Sequence, residues 1–244
     1  MMLPFLIALQ FLTRIPVRLP GMPRPEQMGQ SLLWYPAVGL LIGMLLWSIR
    51  ELVEASSFLL QAALILAAWV LVTGALHLDG LADTADAWVG GFGDRERTLA
   101  IMKDPRSGPV GVVTIVVVLL LKFAALTALL ESGQLGALVL APWLARIALP
   151  AILLSTRYVR AGGLGQTLVD HMPRWRLGIT LSAYGFVALF VLPGALSAVI
   201  CAALIFWTLR RQFKRRLGGI TGDTAGTLVE LTECAILVTL ALHA

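Results

Sequence analysis

Phe58-Leu-Leu-Gln-Ala-Ala-Leu-Ile-Leu-Ala-Ala-Trp-Val-Leu-Val-Thr-Gly-Ala-Leu76 runs directly into His77-Leu-Asp-Gly-Leu-Ala-Asp-Thr-Ala-Asp86. The first half is apolar for about the 20 residues that a helix needs to cross a bilayer. The second half sets three carboxylates at the end of that span, where desolvation and mutual repulsion both cost free energy unless something positive joins them. On a helix, Asp79, Asp83 and Asp86 are spaced i, i+4, i+7, which at about 100° per residue confines them to an arc of roughly 60°. They can therefore converge on one cation.

The rest of the chain repeats the first half of this pattern. Of its 244 residues, 58% are hydrophobic and only 14% charged, and the mean hydropathy is +0.86. These values lie far outside the range of water-soluble domains. Apolar runs of spanning length occupy Leu32 to Ile49, Phe58 to Leu76, Gly108 to Leu130, Leu135 to Ser155, Leu177 to Leu192, Ala195 to Leu209 and Ala225 to Ala244. The run from Leu177 to Leu209 is too long for one span, and Pro193-Gly194 at its middle predicts a tight hairpin of two short helices. The expected fold is an all-α polytopic bundle of about seven spans, forming a single catalytic domain over residues 1–244. Met1 to Leu12 is too short to span and lacks a preceding basic region, so it predicts an interfacial or re-entrant segment and no cleavable signal. No internal repeat is visible.

The basic residues sort by side. Arg14, Arg18 and Arg24, then Arg95, Arg97, Lys103 and Arg106, then Arg157, Arg160, Arg174 and Arg176, then the five of residues 210–216 fall on one side of a seven-span chain, against Arg50 alone on the other. By the positive-inside rule the N-terminus is cytoplasmic and the C-terminus outside. This distribution accounts for the net charge of +5 without nucleic acid. Cys201 and Cys234 lie in apolar runs without ligand spacing and read as packing residues.

Three polar constellations fall on the cytoplasmic side. The first is the Asp79, Asp83, Asp86 face, where Gly80 leaves room for a ligand. The second is Met102-Lys-Asp-Pro-Arg-Ser-Gly-Pro-Val-Gly111. There Lys103, Arg106 and Ser107 precede a helix N-terminus, whose free N–H groups suit a phosphate; Asp104 is either a further metal ligand or an internal ion-pair partner. The third is Gly218-Gly-Ile-Thr-Gly-Asp-Thr224, running into the last span, with Asp223, Glu230 and Glu233 sharing a helical face about 80° wide. Carboxylates within a span are functional candidates by default, with pairing to Lys122 or Arg146 as the structural alternative. Arg146 itself needs an anionic partner, either a phosphate or a glutamate, and Arg157 extends the same cationic wall.

Acidic groups on two helices beside cationic loops suit phosphoryl transfer, with Mg²⁺ on the carboxylates and Lys or Arg on the phosphate oxygens. Ligation by aspartate alone favours a hard cation over zinc. Two competing readings are a CDP-alcohol phosphotransferase of lipid synthesis and a cation transporter.

The His77 to Asp86 stretch, together with Lys103-Asp-Pro-Arg-Ser-Gly, Phe11-Leu-Thr-Arg-Ile-Pro16 and Gly218-Gly-Ile-Thr-Gly-Asp-Thr224, resembles the cobalamin synthase family, the adenosylcobinamide-GDP ribazoletransferases. The CDP-alcohol phosphotransferase motif is a poorer match, because its arginine after Asp-Gly-x-x-Ala is Asp83 here. The resemblance implies transfer of the adenosylcobinamide phosphate of adenosylcobinamide-GDP to α-ribazole or its 5′-phosphate, with release of GMP. It also implies Mg²⁺ dependence and an inner-membrane location for a bacterial member; a multi-pass chain also has membrane lipid as a partner, and the sequence leaves a homo-oligomer open. The residues themselves assign Asp79, Asp83 and Asp86 to the metal, Lys103, Arg106, Ser107, Arg146 and Arg157 to the substrate, and Asp223 or Glu230 to a further ligand or the base.

Overall fold

The computed structural model describes residues 2–243, so Met1 and Ala244, the outer ends of the first segment and the last expected span, lie outside the described residues. The described chain is helical. A short apolar helix, α1 (Met2–Leu12), is followed by α2 (Pro25–Ser31), a 3₁₀ turn (Leu32–Trp34) and α3 (Tyr35–Leu52). Then come α4 (Phe58–Thr73), α5 (Leu76–Gly90), α6 (Arg95–Ile101), α7 (Pro109–Glu131), α8 (Ala137–Ser155), α9 (Leu164–Asp170), α10 (Arg174–Val191), α11 (Ala195–Leu217) and α12 (Gly222–Ala241).

Each of the seven apolar runs is helical, and α10 and α11 form the hairpin expected at Pro193-Gly194. Five helices are long and apolar enough to cross a membrane: the continuous rod Pro25–Leu52 and α7, α8, α11 and α12. The α4–α5 pair raises the number to six if it counts as one broken span. The seven-span expectation is higher because α10 opens on Arg174-Trp-Arg176 and because α4 is only 16 residues, about 24 Å. At 11 residues α1 is also too short to span, as expected.

The apolar run from Phe58 is not one straight helix. It ends at Thr73, and α5 leaves at 87° to α4. Gly74 (φ 62°) and Ala75 (φ 55°) are both left-handed. Their N–H groups donate back to Leu71 O (3.2 Å) and Val70 O (3.1 Å), satisfying the last carbonyls of α4. This is the usual role of glycine just past a helix end. The bend turns the three aspartates away from the direction of α4.

The core is centred on α8, which packs against α3, α10, α11 and α12 and is buried on almost every face. On the other side of α12 lie α5 and α7. The contact of α5 with α12 is close. A Cβ placed on Gly80 would lie 2.8 Å from the carbonyl oxygen and 2.9 Å from the Cα of Asp223. Because those neighbours are backbone atoms, they can yield only by separating the helices. Gly80→Ala is therefore expected to destabilise the protein by roughly 1–3 kcal/mol, as overpacking does. It should also lower turnover in the fraction that remains folded, because Asp79 and Asp83 move with α5. Thermal unfolding in detergent and specific activity of the folded fraction check the two effects.

Candidate active site

The α5–α12 crossing brings together the two acidic motifs that are far apart in sequence. The Thr227 hydroxyl bridges the helices, lying 3.0 Å from Gly80 O and 2.8 Å from Thr84 Oγ1. Asp223, at the start of α12, joins the face that carries Asp79 and Asp83, and Asp83 feels the negative charge of Asp79, Asp223 and Asp86. Neither Asp79 nor Asp83 has a side-chain hydrogen bond among the described residues, whereas Asp86 and Asp223 are both engaged.

The glycine-rich turn before α12 is held from two sides. Thr221 caps the helix, accepting from Thr224 N–H (3.2 Å) while the Thr224 hydroxyl accepts from Thr221 N–H (2.9 Å). The loop after α8 pairs with it through Val159 N–H to Ile220 O and Ile220 N–H to Arg157 O, both 2.9 Å. That pairing brings Arg160 to Asp223, with Nη1 donating to Oδ2 at 2.9 Å. Arg95 donates to Leu217 O (2.7 Å) and Arg210 to Thr156 Oγ1 (2.9 Å), while Arg216 reaches Trp88 O. Three of the basic segments, 95–106, 157–176 and 210–216, thus meet at the end of the bundle where the carboxylates lie.

Several expected site residues are engaged elsewhere. Asp86 accepts from Gly108 N–H (2.6 Å, Oδ2) and Gly111 N–H (2.9 Å, Oδ1). The free N–H groups at the start of α7 therefore hold this carboxylate, in the position proposed for a phosphate. Asp104 and Arg106 pair with each other at 2.8 Å, and that contact holds the Asp104 carboxyl at about 2. Asp104 is thus the ion-pair partner that the sequence offered as its second reading. Lys103 and Ser107 are exposed on the same loop. Arg157 is exposed and lines a groove of about 600 Å³ with Arg95 and Arg174.

Glu230 and Arg146 are corrected most. Lys122 Nζ lies 2.6 Å from Glu230 Oε2 and 2.5 Å from Glu233 Oε2, and Arg146 pairs with Glu233. All four side chains are buried. Formal charges here sum to zero, so the structure brings Arg146 and Glu230 into a buried ion cluster, the structural alternative that the sequence left open for them. The room expected beside Gly80 is likewise filled, by the Asp223 backbone.

Comparison with known proteins is decisive about kinship. A family model described as cobalamin-5-phosphate synthase matches residues 4–241. The chain belongs to the cobalamin-5-phosphate synthase family. It is 64% identical over 236 residues to the adenosylcobinamide-GDP ribazoletransferase of Ectopseudomonas mendocina, with 97% of each chain covered. It is 60% identical over 241 residues to the protein of that name from Pseudomonas aeruginosa PAO1, again with 97% of each covered. The Pseudomonas fluorescens Pf0-1 relative is 59% identical over 243 residues, covering 99% of this chain and all of its own. No solved structure matches.

In this member of the family, the donor set at the α5–α12 crossing is all oxygen. Among the described residues no three His, Cys, Asp or Glu side chains gather closely enough to form a complete protein cage for a metal. Magnesium rarely uses such a cage; it keeps several waters and takes one or two carboxylates plus substrate phosphate. Asp79 and Asp83, unpaired and crowded by like charge, fit that requirement. In the sequence Arg160 counts only toward the one-sided distribution of basic residues, and Thr221 and Thr227 carry no separate signal. A basic loop that pairs with a Gly-Gly-x-Thr turn was the one available signal.

Proposed function

We propose that this chain transfers the adenosylcobinamide phosphate of adenosylcobinamide-GDP to α-ribazole or its 5′-phosphate, releasing GMP. On this reading it acts at the cytoplasmic face of the bacterial inner membrane. Full-length similarity to relatives that carry the ribazoletransferase name supports the reaction most strongly. The unpaired carboxylates beside Asp223 and Arg160 supply a place for it. An acceptor hydroxyl oxygen forms a bond to the cobinamide-side phosphorus. The bond from that phosphorus to the bridging oxygen breaks, and GMP departs with the bridging oxygen.

Asp79 and Asp83 would hold a divalent cation, which when bound neutralises charge on the diphosphate. Arg160 orients Asp223 through Oδ2. The other oxygen, Oδ1, is left to take the proton of the acceptor hydroxyl. Because the acceptor and leaving oxygens need only be held in line, positioning and electrostatics carry the rate, with no covalent enzyme intermediate.

In purified protein reconstituted with lipid, adenosylcobinamide-GDP plus α-ribazole is expected to yield one GMP per corrinoid product, and a chelator should stop the reaction until Mg²⁺ is restored. Release of CMP from CDP-diacylglycerol without any GMP release would overturn the assignment. Turnover unaffected by chelation would remove the cation from it.

A further inference from the structure

Beside the carboxylates lies a second feature that phosphate chemistry does not use. A cavity of about 230 Å³ opens between α5, α8, α9 and α12, with Asp79, Gly80 and Asp223 on its wall. Its other walls are apolar: Phe11 and Tyr35 supply aromatic faces, and Leu149, Leu153, Leu164 and Leu168 close the remainder. Besides the two carboxylates and the Tyr35 and Tyr158 hydroxyls, one imidazole interrupts this lining. His77 is 3% exposed, and among the described residues its Nδ1 has no hydrogen-bond partner. A buried ring nitrogen left unpaired costs free energy unless a ligand atom completes it.

We propose that this cavity is the acceptor subsite, holding the aromatic base of α-ribazole while the ribose reaches the carboxylates; the proposal rests on the transfer reaction above. The base is a benzimidazole carrying two methyl groups. It is flat and mostly apolar, with one ring nitrogen free to pair with a histidine N–H. Apolar walls with a few placed polar groups are what such a ligand requires, and aromatic walls favour stacking on it. The other candidates from the same reaction fit less well. A corrin ring is far larger than the cavity, and guanine could pair its amide and amino groups only with the Asp79 and Asp223 carboxylates on the wall, which the reaction assigns to the cation and the proton. The groove lined by Arg95, Arg157 and Arg174 lies on the other side of Tyr158 and Leu153, which border both spaces. Its cations suit the anionic end of a substrate, so the two spaces divide the apolar and charged parts between them.

Binding is measurable without turnover, so failure of this proposal can be told from failure of the assigned reaction. Equilibrium dialysis of labelled α-ribazole against the full-length protein in nanodiscs, with no corrinoid present, is the direct test. Wild-type protein should bind it saturably, and free 5,6-dimethylbenzimidazole should compete whereas guanosine should not. Leu164 is 56% exposed, so Leu164→Trp can narrow the cavity without disturbing the core, and should weaken binding at least tenfold. His77→Phe, which keeps the ring and removes the nitrogen, is the second variant and should weaken binding by a similar factor. In turnover assays, the KM for α-ribazole should rise in Leu164→Trp while that for adenosylcobinamide-GDP stays within twofold. No saturable binding by wild type, equal competition by guanosine, or wild-type affinity in both variants would each overturn the proposal. GMP release that proceeds normally alongside any of these results would leave the reaction assignment standing and remove the subsite alone.

Discussion

Asp83→Asn is expected to lower the turnover number for GMP release by about 10³-fold, the scale of losing a preorganised electrostatic group at a transition state. Asn has nearly the same shape, so packing of α5 is preserved. What disappears is one negative charge from a face where Asp79, Asp86 and Asp223 already repel it. Folding stability should therefore hold or rise slightly. That combination separates a ligand from a structural residue, because a structural carboxylate would lose stability first. GMP release at saturating substrate and thermal unfolding in detergent decide the matter together. Activity within tenfold of wild type at low Mg²⁺ would take Asp83 out of the reaction.

The helices were legible because each is an apolar run with a polar or Gly/Pro boundary, and runs of that kind leave a chain few alternatives in a membrane. The acidic face of α5 was legible for a related reason, since helical spacing alone puts Asp79 and Asp83 side by side. The break at Gly74 was hidden, because hydropathy continues unchanged through Ala75 and Leu76 while the backbone does not. Partner choice was the larger loss. Asp86 finds its donors 22 and 25 residues further on, and Lys122 meets its two glutamates across more than 100 residues. Spacing within one helix says nothing about such contacts. The sequence could state that Glu230, Glu233, Arg146 and Lys122 each need a partner in an apolar setting, and only the packing of α7, α8 and α12 shows that they form ion pairs with one another.

Lys122→Met is expected to destabilise the protein by about 3–5 kcal/mol, the scale for removing one partner from a buried ion pair. Lys122 is 3% exposed and serves two carboxylates, with its ammonium also 4.9 Å from the centre of the Trp69 ring. Without it, Glu230 and Glu233 share only Arg146, and an uncompensated negative charge remains where neither water nor another cation can reach it. The double variant Lys122→Met/Glu230→Leu restores neutrality by leaving Arg146 with Glu233, so it should recover most of the lost stability. Replacing a buried pair by apolar groups of similar size is often close to neutral. Unfolding of both variants in mixed micelles measures the difference; equal destabilisation of single and double would show that packing, and not charge balance, governs the cluster. The double variant also isolates Glu230 from the chemistry. If the acidic face of α5 and Asp223 carry the transfer, folded double variant should release GMP within a few-fold of the wild-type rate, whereas a folded but inactive double variant would return Glu230 to the reaction.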